Sequence, residues 1–151
     1  MKNNIFYLII TLFAVTVGSC EQDKGNLDLV KSASELNADT GSVRDLIETN
    51  AYIDFDVNAV NRAIFAKSAS NNEIAKAKAA VYRFYSHVQI IDGKYICDLS
   101  EAKEINISET IYNFLRNNIE EQNLNIDKLK NEGKEIIVSP IDSNYLNSLL
   151  E

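Results

Sequence analysis

The chain has little of what most catalytic or nucleic-acid-binding chemistry draws on. It carries one histidine, His87, no tryptophan, one proline and five glycines in 151 residues. A single histidine removes His-rich zinc sites, because the remaining ligands would have to be carboxylates and Cys97. Scarce glycine disfavours close backbone approach to phosphate, and neither a P-loop nor a Gly-x-Gly-x-x-Gly turn is present. No Gly-x-Ser-x-Gly turn supports a Ser-His-Asp triad. Basic residues are outnumbered, with 15 Lys and Arg against 22 Asp and Glu and a formal net charge of −7. That balance leaves no basic face for nucleic acid and no polybasic patch for anionic lipid. No cofactor and no metal is expected, and the chain reads as not an enzyme.

What is present is concentrated at the amino terminus. Lys2 gives a positive start, and Ile5 to Val17 is apolar except for Thr11 and Thr16. Gly18 and Ser19 then supply small residues where a peptidase must reach the backbone. This is the layout of a secretory signal peptide. The run is too short for a spanning helix, which needs about 20 apolar residues.

Cys20 follows the small pair at once, so that Val17-Gly18-Ser19-Cys20 resembles the lipobox of bacterial lipoproteins at all four positions. The resemblance covers only the first twenty-odd residues. It implies a diacylglycerol thioether on Cys20, cleavage before it and acylation of the new amino group. Two or more acyl chains hold a protein stably where one gives only marginal attachment. Glu21-Gln22-Asp23 is a polar, partly acidic stretch similar to the export signal of Bacteroidota surface lipoproteins, although Lys24 breaks the run. The implied location is the outer membrane, at the cell surface or on the periplasmic face. The membrane is the expected partner, through the lipid on Cys20.

The chain then divides into a signal peptide (1–19), the lipidated cysteine with a tether (20–40) and one domain (41–151). The tether is polar, with only Leu27, Leu29, Val30 and Leu36 as sparse apolar positions. As a flexible coil, twenty residues reach about 25 Å. Removing residues 1–19 takes Lys2 and leaves 14 basic against 22 acidic side chains, a charge of −8. The remaining 132 residues suffice for one core and not for two. With Cys20 lipidated, Cys97 is alone, and its place after Tyr95-Ile96 reads as a small buried hydrophobe.

Periodicity predicts an α+β domain, dominated by helix, with a β-hairpin as a small antiparallel sheet. Ser42 can cap a first helix that ends at Asn50, and Tyr52 to Phe55 reads as a connection with buried aromatics. Asp56 caps a second, with Val57, Val60 and Ile64 at helical spacing. Asp54-Phe55-Asp56-Val57-Asn58 begins like a calcium loop, but Ala59 and Phe65 stand where glycine and the bidentate glutamate are needed. Residues 67–71 read as a loop. The strongest helix runs from 72 to 87, with Ile74, Ala77, Val81, Phe84 and Val88 inward and Lys76, Lys78 and Arg83 on other faces. Asp92-Gly93, flanked by β-branched and aromatic residues, signals a hairpin over 88–97.

Glu101 to Asn106 is a connector. Asn106 or Ser108 then caps a helix, with Glu109 placed to complete a capping box with Asn106. Its stripe of Ile111, Phe114, Leu115 and Ile119 fades at Gln122-Asn123. A short helix around Ile126 and Leu129 is expected to stop at Gly133, and Glu135 to Val138 to form a strand ended by Pro140. Asp142 or Ser143 caps a last helix with Tyr145, Leu146, Leu149 and Leu150. Seven tyrosines are read as rim-of-core residues. The function expected is a lipid-anchored, non-catalytic binding or accessory module with a possible protein partner. The alternative is an envelope immunity protein that neutralises a toxin from a neighbouring cell; a carboxylate-based hydrolase ranks third.

Overall fold

The computed structural model describes residues 40–150. The lipobox, Cys20 and the tether up to residue 39 lie outside the described residues, and Thr40, placed at the tether's end, opens the first helix. The order is α1 (Thr40–Glu48), α2 (Val57–Phe65), α3 (Asn71–Tyr85), β1 (Val88–Ile91), β2 (Lys94–Cys97), a 3-10 turn (Ala102–Ile105), α4 (Glu109–Asn131) and α5 (Ser143–Ser148). This is the expected helix-dominated α+β domain, with one two-stranded antiparallel sheet.

α3 is the centre of the core. Ser70 caps it, taking the Glu73 amide while the Glu73 carboxylate returns to the Ser70 amide. Ile74, Ala77, Val81 and Phe84 are buried as their spacing requires, and Val88 continues the same face. The alanines Ala75, Ala77, Ala79 and Ala80 are all buried and let α1 lie close against α3. Phe84 makes edge-to-face contacts with Tyr85 and Tyr112, at 5.6 and 5.8 Å between ring centres. Two side chains assigned to outer faces are in the core: Lys78 is 1% exposed and Arg83 7%. The helix is enclosed on more than one side, so a face opposite the main stripe is still interior.

Arg83 explains part of that enclosure. Its guanidinium donates to the carbonyls of Ala51 (2.9 Å), Ile105 (3.1 Å) and Asn106 (3.3 Å), and to that of Leu46. It thereby ties the end of α1 and the 50–53 connection to the 3-10 turn. The same junction carries a parallel bridge between Ile53 and Ile107. The Ile53 amide donates to Asn106 O and the Ser108 amide to Ile53 O, each at 2.9 Å. Of the 52–55 connection it is Ile53 that is buried; Tyr52 is exposed and Phe55 half-buried. Strand-like pairing with 107 selects the alternate side chain of this stretch for the interior.

α1 starts at Thr40, so Ser42 lies within it rather than capping it. Asp56 caps α2 as expected, accepting from the Ala59 amide at 3.0 Å. Ser108, not Asn106, caps α4. Asn106 instead closes the 3-10 turn in the left-handed region (φ 51°), where an asparagine is tolerated. The expected Asn106–Glu109 box is therefore absent. Asp142 caps α5 through the Tyr145 amide.

Two expectations at the carboxyl-terminal end are corrected. α4 runs unbroken through 23 residues, where a break at Gln122-Asn123 was expected. No glycine or proline interrupts it before Gly133, and asparagine costs a helix only a few tenths of a kcal/mol. Ile126 carries the buried stripe one turn past the polar pair. Residues 135–138 form no strand. Ile136 and Val138 are half-buried and Ile137 is exposed, so the alternation is present without a ladder. The Tyr95 hydroxyl holds this segment by donating to Ser139 O at 2.9 Å. The edge of β2 that a third strand would need is already taken by α4.

Candidate functional site

The hairpin and the helix that clamps it form the candidate site. Asp92 and Gly93 both have positive φ (52° and 73°), the pair of angles a type I′ turn requires. The register pairs Val88 with Cys97, Gln89 with Ile96, Ile90 with Tyr95 and Ile91 with Lys94. A two-residue turn makes Ile91–Lys94 a hydrogen-bonded pair, and bonded and non-bonded pairs then alternate. The main-chain groups of Tyr95 and Cys97 therefore face one outer edge, and those of Val88 and Ile90 face the other.

α4 closes the first edge with a side chain. The Asn123 amide accepts from Tyr95 N at 2.9 Å and donates to Tyr95 O at 2.8 Å, as a neighbouring strand would. Lys94 reinforces the contact through an ion pair with Asp127 at 2.6 Å. The Val88–Ile90 edge has no such partner among the described residues.

Residues opposite one another in a ladder share a face. Val88, Ile90, Tyr95 and Cys97 thus turn toward the core, and Gln89, Ile91, Lys94 and Ile96 turn outward. Ile91 and Ile96 are exposed there, and Leu124 is 68% exposed one residue beyond Asn123. The excess of apolar residues in Val88-Gln89-Ile90-Ile91 resolves as Ile91 on the outer surface.

His87 sits at the base of the hairpin with its Nδ1 3.0 Å from Asp98 Oδ1. Both are solvent-accessible, as expected for a hydrogen-bonded histidine at a helix end. The neighbouring Ser86 hydroxyl donates to Tyr82 O and Arg83 O, so it is not aimed at the imidazole. Glu101 and Glu104 lie on the same side. The Glu101 and Ser100 amides donate to Glu104 and hold its carboxyl below the ordinary value, with His87 adding a smaller push. No group of three metal-ligating side chains is assembled among the described residues.

Cys97 is half-buried rather than buried, because it lies on the last pair of the hairpin. Burial nonetheless pushes its thiol up, away from the reactive thiolate. Of the tyrosines, Tyr82, Tyr95 and Tyr145 are half-buried at the core rim, Tyr85 and Tyr112 are buried within the core, Tyr52 is exposed, and Tyr7 lies outside the described residues. Tyr112 donates to Leu99 O at 2.9 Å, and Tyr85 meets Tyr145 edge to face at 6.3 Å. Burial raises the Tyr145 hydroxyl to about 12 and pushes Tyr85 up further.

A second polar feature lies inside the fold. Asn118 and Gln122, one turn apart on the buried stripe of α4, are 2% and 5% exposed. Both polar atoms of each side chain lack a hydrogen-bond partner, as does Asn61 Oδ1 on α2. Both positions continue the buried stripe of α4, although the polarity of Gln122 reads in the sequence as the fading of that helix.

No protein-family model matches the chain, and neither a curated protein nor a solved structure matches it.

Proposed function

We propose that this chain is a lipid-anchored cell-envelope protein, moored to the outer membrane through Cys20, whose folded domain is a non-catalytic binding or accessory module. The observation that carries the reading is Val17-Gly18-Ser19-Cys20 directly behind a short apolar run. No helix among the described residues is long and apolar enough to cross a membrane. Attachment by acyl chains would hold such a domain at the surface, each buried methylene contributing about 0.8 kcal/mol. Exposed Ile91 at the open strand edge, with Ile96 on the same face, supports a binding role, because these side chains offer apolar contact area.

The test is metabolic labelling with fractionation. Cells expressing the chain are fed labelled palmitate, and membranes are washed with carbonate. The wild type takes up label and stays in the membrane pellet, whereas Cys20→Ser takes up none and is released or left unprocessed. Unlabelled wild-type protein, or equal labelling of Cys20→Ser, refutes the anchor.

A further inference from the structure

We infer that the open edge of β1 is a docking site for an extended segment of another protein, apolar in its middle and basic at the end that lies against His87 and Asp98. The inference rests on the binding-module reading and is independent of the lipid.

The two edges of the hairpin are treated differently. At Tyr95 the outward N–H and C=O are both satisfied by Asn123. At Val88 and Ile90 the equivalent groups face away from β2 and meet no partner among the described residues. An unpaired edge is a template for another strand, and addition of an extended peptide is a common recognition mode in which main-chain bonds give affinity. The strand itself, Val88-Gln89-Ile90-Ile91, has no charged residue to repel an incoming backbone.

The surroundings specify the occupant. Ile91 and Ile96 share the outer face, exposed diagonally across the two strands. Leu124 is exposed too, but it lies on α4 beyond the closed β2 edge, where Lys94 meets Asp127 and Tyr95 meets Asn123. An apolar side chain on the added strand would lie beside Ile91, the outward apolar residue of β1. The base of the hairpin is acidic. Asp98, Glu101 and Glu104 outnumber the cations there: Asp98 is bonded to His87, Lys103 is tied to Glu101 at 2.9 Å, and Arg116 acts on Cys97 alongside Asp98 and Glu104. At the tip, by contrast, Asp92 is accompanied by Lys130, whose Nζ lies 3.2 Å from where a Gly93 Cβ would be. Charge therefore selects a basic residue at the base and none at the tip.

A second copy of the chain fits less well. Self-pairing over four residues falls short of the roughly 1,000 Å² that a stable interface needs. It would also bring together two processed chains that each carry 14 basic against 22 acidic side chains, a charge of −8.

The experiment uses the processed lipoprotein in mild detergent, labelled for amide NMR. The probe is a short alternating valine–threonine peptide ending in lysine. Controls are the same peptide ending in aspartate and one N-methylated at alternate residues. The expected result is saturable protection of the Val88 and Ile90 amides by the lysine-ended peptide, with binding weakened by salt. Ile90→Pro, which removes an outward N–H without touching the β1–β2 ladder, should weaken binding about tenfold or more. Ile91→Lys alters only the outer face and should weaken it several-fold, so the inference does not depend on the proline variant folding. Asp98→Asn should abolish the preference for lysine over aspartate.

Equal binding of the N-methylated peptide, or no response of residues 88–91 at millimolar peptide, overturns the inference. Protection of the same amides on concentration alone assigns the edge to a second copy and also overturns it. Shifts of Ile91, Ile96 and Leu124 with detergent or vesicles, without amide protection, assign the patch to lipid and overturn it too. None of these outcomes moves palmitate labelling, so the anchor stands or falls separately.

Discussion

Replacing Arg83 with methionine tests how the helical half of the domain is held together. The methionine keeps an unbranched stem of similar length, so little cavity is created and the change isolates the guanidinium. Four carbonyls lose a donor: Leu46, Ala51, Ile105 and Asn106. Asn106 O keeps the Ile53 amide. Leu46 O does not gain Asn50 N, which bonds to Ile47 O instead. Three acceptors are thus stripped, and a hydrogen bond to a charged donor contributes about 1.5–3 kcal/mol.

Against that stands the cost of burying a cation: desolvation pushes the Arg83 guanidinium below its ordinary value. Setting the one against the other leaves an expected loss of about 3 kcal/mol, large beside the 5–15 kcal/mol of a typical domain. The assay is urea unfolding followed by far-UV circular dichroism, with the midpoint falling and the slope unchanged. The melting temperature should drop by roughly 10 °C or more. Arg83→Lys keeps the charge but loses the planar fork, and it should fall between wild type and Arg83→Met. A loss below about 1 kcal/mol for methionine would mean that the four bonds only compensate desolvation, and the reasoning would fail.

Three further outcomes are expected. The double change Asn118→Leu with Gln122→Leu should stabilise the fold by about 2 kcal/mol, because buried amides without partners cost about 1–3 kcal/mol each; destabilisation in urea would show that ordered water serves them. Asn123→Ala removes both bonds to Tyr95 and should cost about 2 kcal/mol, with hydrogen exchange accelerated in β2 and not in α3. Tyr145 ionises at about 12 in the fold against 10.0 when free. Its folded pKa is raised, so its contribution is intact below pH 10 and lost as pH climbs toward 12; Tyr145→Phe should flatten unfolding free energy against pH in that window.

Local signals were readable where one residue type had one physical job. Asp92-Gly93 demanded a turn with two positive φ angles and formed it. Asp56 and Asp142 capped the helices that followed them. The stripe of Ile74, Ala77, Val81 and Phe84 named the core face of α3 without error, because apolar spacing reports on burial directly. Charge was the misleading cue. Lys78 and Arg83 were assigned outward on the rule that cations stay wet, and the fold buried both. For Arg83 the carbonyls that permit this come from segments 22 to 37 residues away. No local pattern could announce them.

α4 reads as two helices in the sequence for the same reason. Gln122-Asn123 looked like a polar stop, yet both residues face protein, one into the core and one onto β2. An amide can replace either a main-chain donor or acceptor, so Asn123 behaves as the missing strand on that side of the hairpin. That substitution also removes the reason for 135–138 to pair: its alternation survives, but the edge it would join is closed. Among the described residues the opposite edge has no equivalent of Asn123, and β1, which forms it, carries no charged residue. Among the described residues, one hairpin edge is closed by a dedicated side chain and the other, beside Ile91, keeps its main-chain bonding groups unpaired. Contact with another polypeptide is therefore most economically sought there, and not at the lone histidine.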